Sequence, residues 1–493
     1  MIIINFDLKP EFDSHVIVVG AGPAGATASY YLASAGFKVM LVDKQKFPRE
    51  KVCGDFVGPV TQNELSKLGI TKLPAYKKTN LINKASVYLD GRELVSRRVP
   101  NVPGLPRYGR VIPRMILDKW LLDSAVKGGA KVLEGFKAVS LETEKECINL
   151  EVEGPSGTRK LRARLLIGAD GSNSTIARLV RGRTPSRRDR IIAIRGYYKD
   201  VEGPTNQADL HFNSESFPGY CWLFPTGKEN ANVGVGVLLD TMPAGNRLGE
   251  LLTYLIENNA ALHGRLHKAK RVGRIEGWPL TTYNPNEPLV DDRVMLVGDA
   301  AGLVNPLNGE GIQNAVLSGR WASHVAASCL AKNDLSKDAL SAYSDVVEKE
   351  LRYDMSLAGL IVQFIRNRSL NPIWLRSLEL IAAHAKIDPN YADIVGGILM
   401  GATPQSEATS LEIVTGTLEQ AALSIGLTGT QNPSFLVKAA LDAVQTSLEV
   451  TRQATQNPFD LINWVVNSAA SAMDVLIASS TRNLEAFEKR TAR

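Results

Sequence analysis

Apolar and polar positions follow two different periods along this chain, and the switches between them mark its elements. His15 to Val19 is a β-branched run, followed by glycines and then an apolar-periodic segment through Tyr31, Leu32 and Ala35 that stops at Gly36. That order predicts strand, turn and helix. Phe37 to Val42 predicts a second strand, closed by Asp43, which completes a βαβ unit. A helix is predicted over Pro113 to Gly128 from Ile116, Leu117, Trp120, Leu121 and Ala125, and Leu165 to Ile167 reads as a short buried strand. From Ile191 to Leu239 apolar and polar residues alternate between turn signals, which predicts antiparallel strands. Val294 to Val297 is a further strand, followed by a glycine-rich turn and a helix over Gly309 to Leu330.

The last stretch is different. It is rich in Ala, Ser, Thr and Leu, with apolar residues at helical spacing in three sets: Leu411, Val414, Leu418 and Ile425; Val437, Leu441, Val444 and Leu448; and Leu461, Val465, Ala472 and Leu476. Asn432-Pro433 and Asn457-Pro458 precede the second and third sets as a cap followed by proline in the first turn. The expected role of these stripes is to pack on the body, with an oligomer interface or a membrane surface as the alternatives.

The fold class that follows is α/β. A discontinuous Rossmann-type domain is expected over 13–75, 108–190 and 290–335, and an antiparallel β-sheet substrate domain over 76–107 and 191–289. A helical cover is expected over 336–402 and a C-terminal α-helical extension over 403–493.

Composition changes this picture little: 44% hydrophobic and 22% charged residues in 493 exclude a disordered or fibrous chain. Charge is unevenly placed. The chain carries +6 overall, yet residues from Thr403 onward hold six Lys+Arg against nine Asp+Glu, so the body is the basic part. Its densest run, Arg178, Arg181, Arg183, Arg187, Arg188 and Arg190, reads first as a solvated loop and second as an anion site. Basic residues interleaved with exposed aromatics are not found, so no nucleic acid partner is expected. Cys53, Cys147, Cys221 and Cys329 have no paired spacing for zinc or a disulfide framework, and no metal site is expected. The start MIIINFDLKPEFDS lacks a basic n-region, and no uncharged apolar run reaches membrane-spanning length. A cytoplasmic or peripherally membrane-bound protein is expected.

The chemistry-bearing motifs sit at strand ends. Gly20-Ala-Gly22-Pro-Ala24-Gly25 follows the first strand, where glycines permit a tight turn and a close approach to a pyrophosphate, and the helix start supplies amides. Asp43 is placed to accept hydrogen bonds from a ribose. Gly168-Ala-Asp170-Gly-Ser-Asn-Ser174 and Gly298-Asp299-Ala-Ala-Gly302 also follow short apolar strands, where a carboxylate can reach a sugar or ribityl chain. Tyr220, Trp222 and Phe224 alternate along a predicted strand and therefore share one face, open to an elongated apolar substrate or to core packing.

These three turns, in order and spacing, resemble the group A flavoproteins of the para-hydroxybenzoate hydroxylase type. Within that superfamily the chain is similar to the geranylgeranyl reductase family on four segments: Phe47-Pro-Arg-Glu-Lys-Val-Cys53-Gly54, Pro218-Gly-Tyr220-Cys-Trp222-Leu-Phe224-Pro225, Gly298-Asp-Ala-Ala-Gly302 and Pro306-Leu-Asn-Gly309-Glu310-Gly311-Ile312. The family's Cys-Gly-Gly is Cys53-Gly54-Asp55 here, and the C-terminal extension has no counterpart. The resemblance implies FAD, with Ala24 and Gly25 at the pyrophosphate, Asp43 at the ribose and Cys53 and Gly54 beside the flavin. It also implies Asp170 near the pyrophosphate, Asp299 at the ribityl chain, Gly311 and Ile312 at the isoalloxazine edge, and Arg114 as the contacting arginine, with Arg110 its rival. Reduction of prenyl double bonds is the implied activity, with NADPH or ferredoxin as donor, Cys53, Tyr220 and Trp222 as candidate catalytic residues, and a prenylated compound or prenyl diphosphate as substrate. A flavin monooxygenase or halogenase is the alternative, although the halogenase Trp-x-Trp-x-Ile-Pro motif reads Tyr220-Cys-Trp222-Leu-Phe224-Pro225 here. A homo-oligomer through the C-terminal helices and a non-catalytic flavin-binding scaffold are the other readings.

Overall fold

A computed structural model describes residues 11–242, 247–404, 407, 444, 446–452, 455–456 and 458–491. The chain divides into two compact units. One comprises the chain up to Thr79, Ile112–Ile191 and Trp278–Arg352; the other comprises Asn80–Val111, Ile192–Gly277 and the chain from Tyr353.

The first unit is built on a sheet ordered Val290–Asp291, Val294–Leu296, Gly157–Gly168, Ser14–Val19, Val39–Asp43 and Lys131–Glu134, extended by the antiparallel pair Lys137–Thr143 and Ile148–Gly154. Four neighbouring pairs in it are parallel. Their strands are buried on both faces, which is why they read as continuous β-branched runs. Register sets the site. Val19 lies opposite both Gly168 and Val42, and Gly168 opposite Leu296, so three turns far apart in sequence leave adjacent strand ends.

Those turns touch. Gly20 has φ +104, and a Cβ on it would stand 2.3 Å from the Ala169 carbonyl oxygen. A Cβ on Gly298 would stand 2.9 Å from Ala24 Cβ. The helix Pro23–Ser34 crosses the helix Ile312–Lys332 at Gly319, where a Cβ would meet the Ala24 carbonyl oxygen at 2.3 Å. No side chain fits between those backbones.

The second unit holds a seven-stranded sheet ordered Lys270–Thr281, Arg190–Lys199, Asn230–Leu238, Tyr220–Gly227, Gln207–Phe212, Lys84–Leu89 and Arg92–Arg98. The expected strands of 191–239 are there and pair antiparallel. One feature differs from the expectation of a purely antiparallel sheet: Lys84–Leu89 joins Gln207–Phe212 in parallel, because these strands come from separate stretches of chain rather than from a hairpin. One face packs Leu223, Val233 and Val235 on the helices Leu248–Asn258 and Ala260–Leu266. The other carries Val87, Leu89 and Phe212 against the helices Asn371–Ile387 and Pro389–Leu399.

Of the C-terminal sets, Leu411, Val414, Leu418, Ile425, Val437 and Leu441 lie outside the described residues, as does the Asn432-Pro433 cap. The third set lies in the 34-residue helix Pro458–Thr491. By length and composition its segment Phe459–Ser479 could cross a membrane. The expectation of no such run asked for an uncharged stretch and passed over this one, because Asp460 and Asp474 interrupt it.

The crossing at Gly319 gives a direct test. Gly319→Ala is expected to lower stability by about 1–3 kcal/mol through overpacking, whereas Gly264→Ala, in a helix with nothing near the added methyl, is expected to be neutral or stabilising. Urea unfolding midpoints of the two variants decide the comparison.

Candidate cofactor site

The site of the first unit is assembled from the three turns. The helix Pro23–Ser34 begins at Gly22 with Pro23 in its first turn and no side-chain cap, so its first amides point to the turn unpaired by any side chain. A Cβ added to Gly22 would meet only the Arg49 guanidinium, at 3.6 Å. A helix start, a bare glycine and a cation in reach are what an anionic pyrophosphate requires. At the neighbouring strand end the Asp43 carboxylate accepts from the Ala21 amide at 2.7 Å and the Gln45 amide at 2.8 Å, which fixes its direction beside the turn.

Asp170 does different work. Its carboxylate accepts from the amides of Thr175 (2.7 Å) and Ile176 (3.2 Å) and from the Ser174 hydroxyl, so it anchors the start of the helix Thr175–Arg181 and shapes the second turn. Asp299, in the third turn, accepts from the Ser172 hydroxyl at 2.8 Å, tying the second turn to the third. Gly298 and Gly311 flank this region. The helix Ile312–Lys332 starts at Gly311, again without a side-chain cap, while the Ile312 side chain is buried with Leu117 and Leu121. What Ile312 offers a ligand is its backbone.

Around these turns lies a charged cluster only partly named by motif. Arg114 is buried and clasps Asp118 with Nε to Oδ1 at 2.7 Å and Nη2 to Oδ2 at 2.8 Å. Arg49 reaches the same Asp118 at 3.1 Å. Arg110 belongs to the second unit, over the Tyr108 ring at 5.5 Å. Asp55 replaces the family's second glycine in a left-handed conformation, φ 65, which explains why a glycine suits the position. Asp tolerates it, and its carboxylate accepts from the Arg114 amide at 3.2 Å at the start of the helix Arg114–Lys127. Gly54 and Cys53 are half-buried just before it. Burial pushes the Cys53 thiol up despite the nearby Arg114, so it stays protonated at neutral pH.

Sequence reasoning missed Arg49, Lys51 and Trp278. The first two lie inside the segment 47–54 but had no role assigned; Trp278 comes from a distant strand and carries no local signal. The Lys51 ammonium sits 3.7 Å from the centre of the Trp278 ring, and neither Lys51 Nζ nor Trp278 Nε1 has a hydrogen-bond partner among the described residues. Burial, reinforced by Arg114, pulls Lys51 down to about 7. The arginine run proves partly structural: Arg181 donates to the carbonyls of Pro288 (3.0 Å) and Ala301 (3.1 Å), and Arg183 pairs with Glu287 at 2.8 Å.

Lys51 makes stability depend on pH with a definite sign. Its folded value lies below the ordinary 10.5, so between about pH 7 and 10.5 the unfolded chain binds more protons, and the cofactor-free protein is expected to gain stability as pH rises through that window. Lys51→Met should flatten this slope and raise the melting temperature at pH 7. Thermal melts of wild type and variant across the window check both.

Comparison with known proteins agrees with this geometry. The sequence pattern of the FAD binding domain matches residues 13–320. A digeranylgeranylglycerophospholipid reductase of Methanopyrus kandleri is 33% identical over 374 residues, covering 74% of this chain and 89% of its own. A menaquinone reductase of Mycobacterium tuberculosis is 32% identical over 390 residues, covering 78% and 92%. Among solved structures, a geranylgeranyl bacteriochlorophyll reductase-like protein of Thermoplasma acidophilum superposes with TM-score 0.63 at 24% identity, over 85% of this chain and 98% of that one. A flavin-dependent brominase shares the fold at TM-score 0.61 and 19% identity, over 74% and 93%. A match over more than half the chain, with relatives above 30% identity along most of it, identifies this protein as an FAD-dependent oxidoreductase of the geranylgeranyl reductase family.

Proposed function

We propose that this flavoprotein reduces carbon–carbon double bonds in the prenyl chain of an apolar lipid or prenyl diphosphate, with electrons drawn from NADPH or a ferredoxin. The observation that carries the reading is the aromatic face of the seven-stranded sheet. Tyr220, Trp222 and Phe224 stand side by side there, successive ring centroids 6.3 Å apart, flanked by Phe212 at 5.9 Å from Tyr220. Trp222 lies opposite Gly234, where a Cβ would strike its ring, so the indole lies flat on bare backbone and its Nε1 donates to Asn232 at 3.0 Å. Of the neighbours on this face, Val87, Leu89 and Phe212 are covered by the helices Asn371–Ile387 and Pro389–Leu399 and Trp222 is buried, so the half-buried Tyr220 and Phe224 rings are what the face presents. Rings and aliphatic groups of this kind hold a hydrocarbon by contact and give a charged substrate nothing to pair with. The names of the relatives, reductases of a digeranylgeranyl phospholipid and of menaquinone, support the same substrate class.

The chemistry that FAD supplies when bound is hydride transfer. Asp43, Arg49 and the first amides of the helix Pro23–Ser34 would hold its ribose and pyrophosphate, and Asp299 its ribityl chain. The remaining requirement is a proton for the second alkene carbon. Three groups of the cofactor unit hold one near neutral pH: the Cys53 thiol, the Lys51 ammonium, which burial pulls down to about 7, and the Glu310 carboxyl, which burial pushes up to about 7. Of these Glu310 stands in the turn before the helix Ile312–Lys332. The segment Pro306 to Ile312 that carries the resemblance contains Glu310, but the resemblance assigned it no role.

Anaerobic turnover of prenyl diphosphates with a chemical reductant, read by mass spectrometry, is expected to show gains of two hydrogens per reduced bond. No such gain, together with oxygen-containing products in air, would instead establish the monooxygenase reading. Glu310→Gln is expected to lower kcat by roughly a hundredfold or more while leaving the FAD content unchanged, against a smaller loss for Cys53→Ala. Stopped-flow reduction of substrate by the pre-reduced variants measures it.

A further inference from the structure

The helix Pro458–Thr491 is apolar on more than the side it packs with. It packs on the helix Tyr353–Ile365 through Trp464, whose ring lies 6.2 Å from Phe364: Gln363 Nε2 donates to the Trp464 carbonyl at 3.2 Å, Trp464 Nε1 donates to the Gln363 carbonyl at 3.0 Å, and Ser468 is buried at the same contact. A second set of apolar residues faces outward. Phe459, Ile462, Val466, Met473 and Leu476 are 79%, 56%, 60%, 57% and 63% exposed. At 100° per residue they fall on one arc, roughly opposite Trp464 and Ser468. A helix on a water-facing surface normally turns polar residues outward.

Length and charge select what covers this arc. The segment Phe459–Ser479 has mean hydropathy 1.4 and is 11% buried over 21 residues. At 1.5 Å per residue the stripe is about 30 Å long, a single narrow strip that would on its own have to supply the roughly 800 Å² of accessible surface per partner that a stable dimer needs. A bilayer has no such minimum, since each apolar side chain inserted adds to the binding. The body up to residue 402, with 51 Lys+Arg against 42 Asp+Glu, has the sign that an anionic lipid surface attracts. Spanning is disfavoured, because one side of the helix is held to Gln363 and carries Asn467, Ser468, Ser471 and Asp474.

We propose that the outward face of Phe459–Ser479 docks the protein in the plane of a lipid bilayer, its apolar arc sunk to the acyl boundary. The inference rests on this helix and not on the flavin chemistry, so the two readings fail separately. The test is flotation of the full FAD-bound chain with vesicles of phosphatidylcholine and phosphatidylglycerol. Wild type is expected to float, and Ile462→Glu/Met473→Glu/Leu476→Glu to lose at least tenfold of that binding with its flavin spectrum unchanged. Independently, Phe459→Trp is expected to add emission that brominated acyl chains quench. No flotation of wild type, flotation indifferent to the triple variant, or added emission from Phe459→Trp that brominated lipid leaves untouched would overturn the proposal. So would a concentration-dependent dimer, seen without vesicles, that the triple variant splits; the arc would then belong to a second copy.

Discussion

The cofactor unit depends on backbone meeting backbone. Three chain reversals, after Val19, Gly168 and Val297, leave parallel strands at one edge and press against one another with at most an alanine methyl between them. Gly20 rests on the Ala169 carbonyl, Gly298 on Ala24, and Gly319 on the Ala24 carbonyl. These contacts hold the Asp43 and Asp299 carboxylates and the uncapped helix starts at the ends of neighbouring strands, where an extended dinucleotide would lie. A methyl group at Gly20 or Gly298 would push the turns apart, and one at Gly319 would push the helix Ile312–Lys332 off the helix Pro23–Ser34.

Charge fills in around that frame. Asp118, fully buried, is shared by Arg49 and Arg114, and such a carboxylate is tolerated because both guanidinium groups reach it. Asp55, on the Arg114 amide, adds a second carboxylate, and Lys51 is pulled down first by burial and then by Arg114. Arg49, which stands at the bare Gly22, is the cation in reach of a phosphate there. The second unit has the opposite character at its aromatic face, where Trp222 on Gly234 and the rings beside it offer contact area and almost no charge.

Much of this was legible in the sequence because its chemistry is local. A glycine turn after a β-branched strand, or an aspartate closing the next strand, is written within a few residues, and the alternation of Tyr220, Trp222 and Phe224 places them on one face without any knowledge of the sheet. What was not legible is what long-range pairing decides. Nothing near Lys84–Leu89 announces that it will lie parallel to Gln207–Phe212, and nothing near Trp278 that its ring will lie under Lys51. The hairpin over 137–154 was missed, although its apolar and polar residues alternate. The helix Pro458–Thr491 teaches a different lesson: apolar spacing reveals that two faces exist, but which one turns inward depends on the partner helix, here through Gln363. Asp55 shows the same limit, since only the positive φ explains why its substitution for glycine keeps the turn.

If the three turns serve one purpose, it is to hold one adenine-bearing flavin laid across them. Titration of FAD into the folded, cofactor-free chain, followed by quenching of flavin fluorescence, measures this most directly. Saturation at one FAD per chain, weakened when Asp43 or Arg49 is replaced by alanine, is the predicted result. A folded chain that leaves the fluorescence of added FAD unchanged would contradict it.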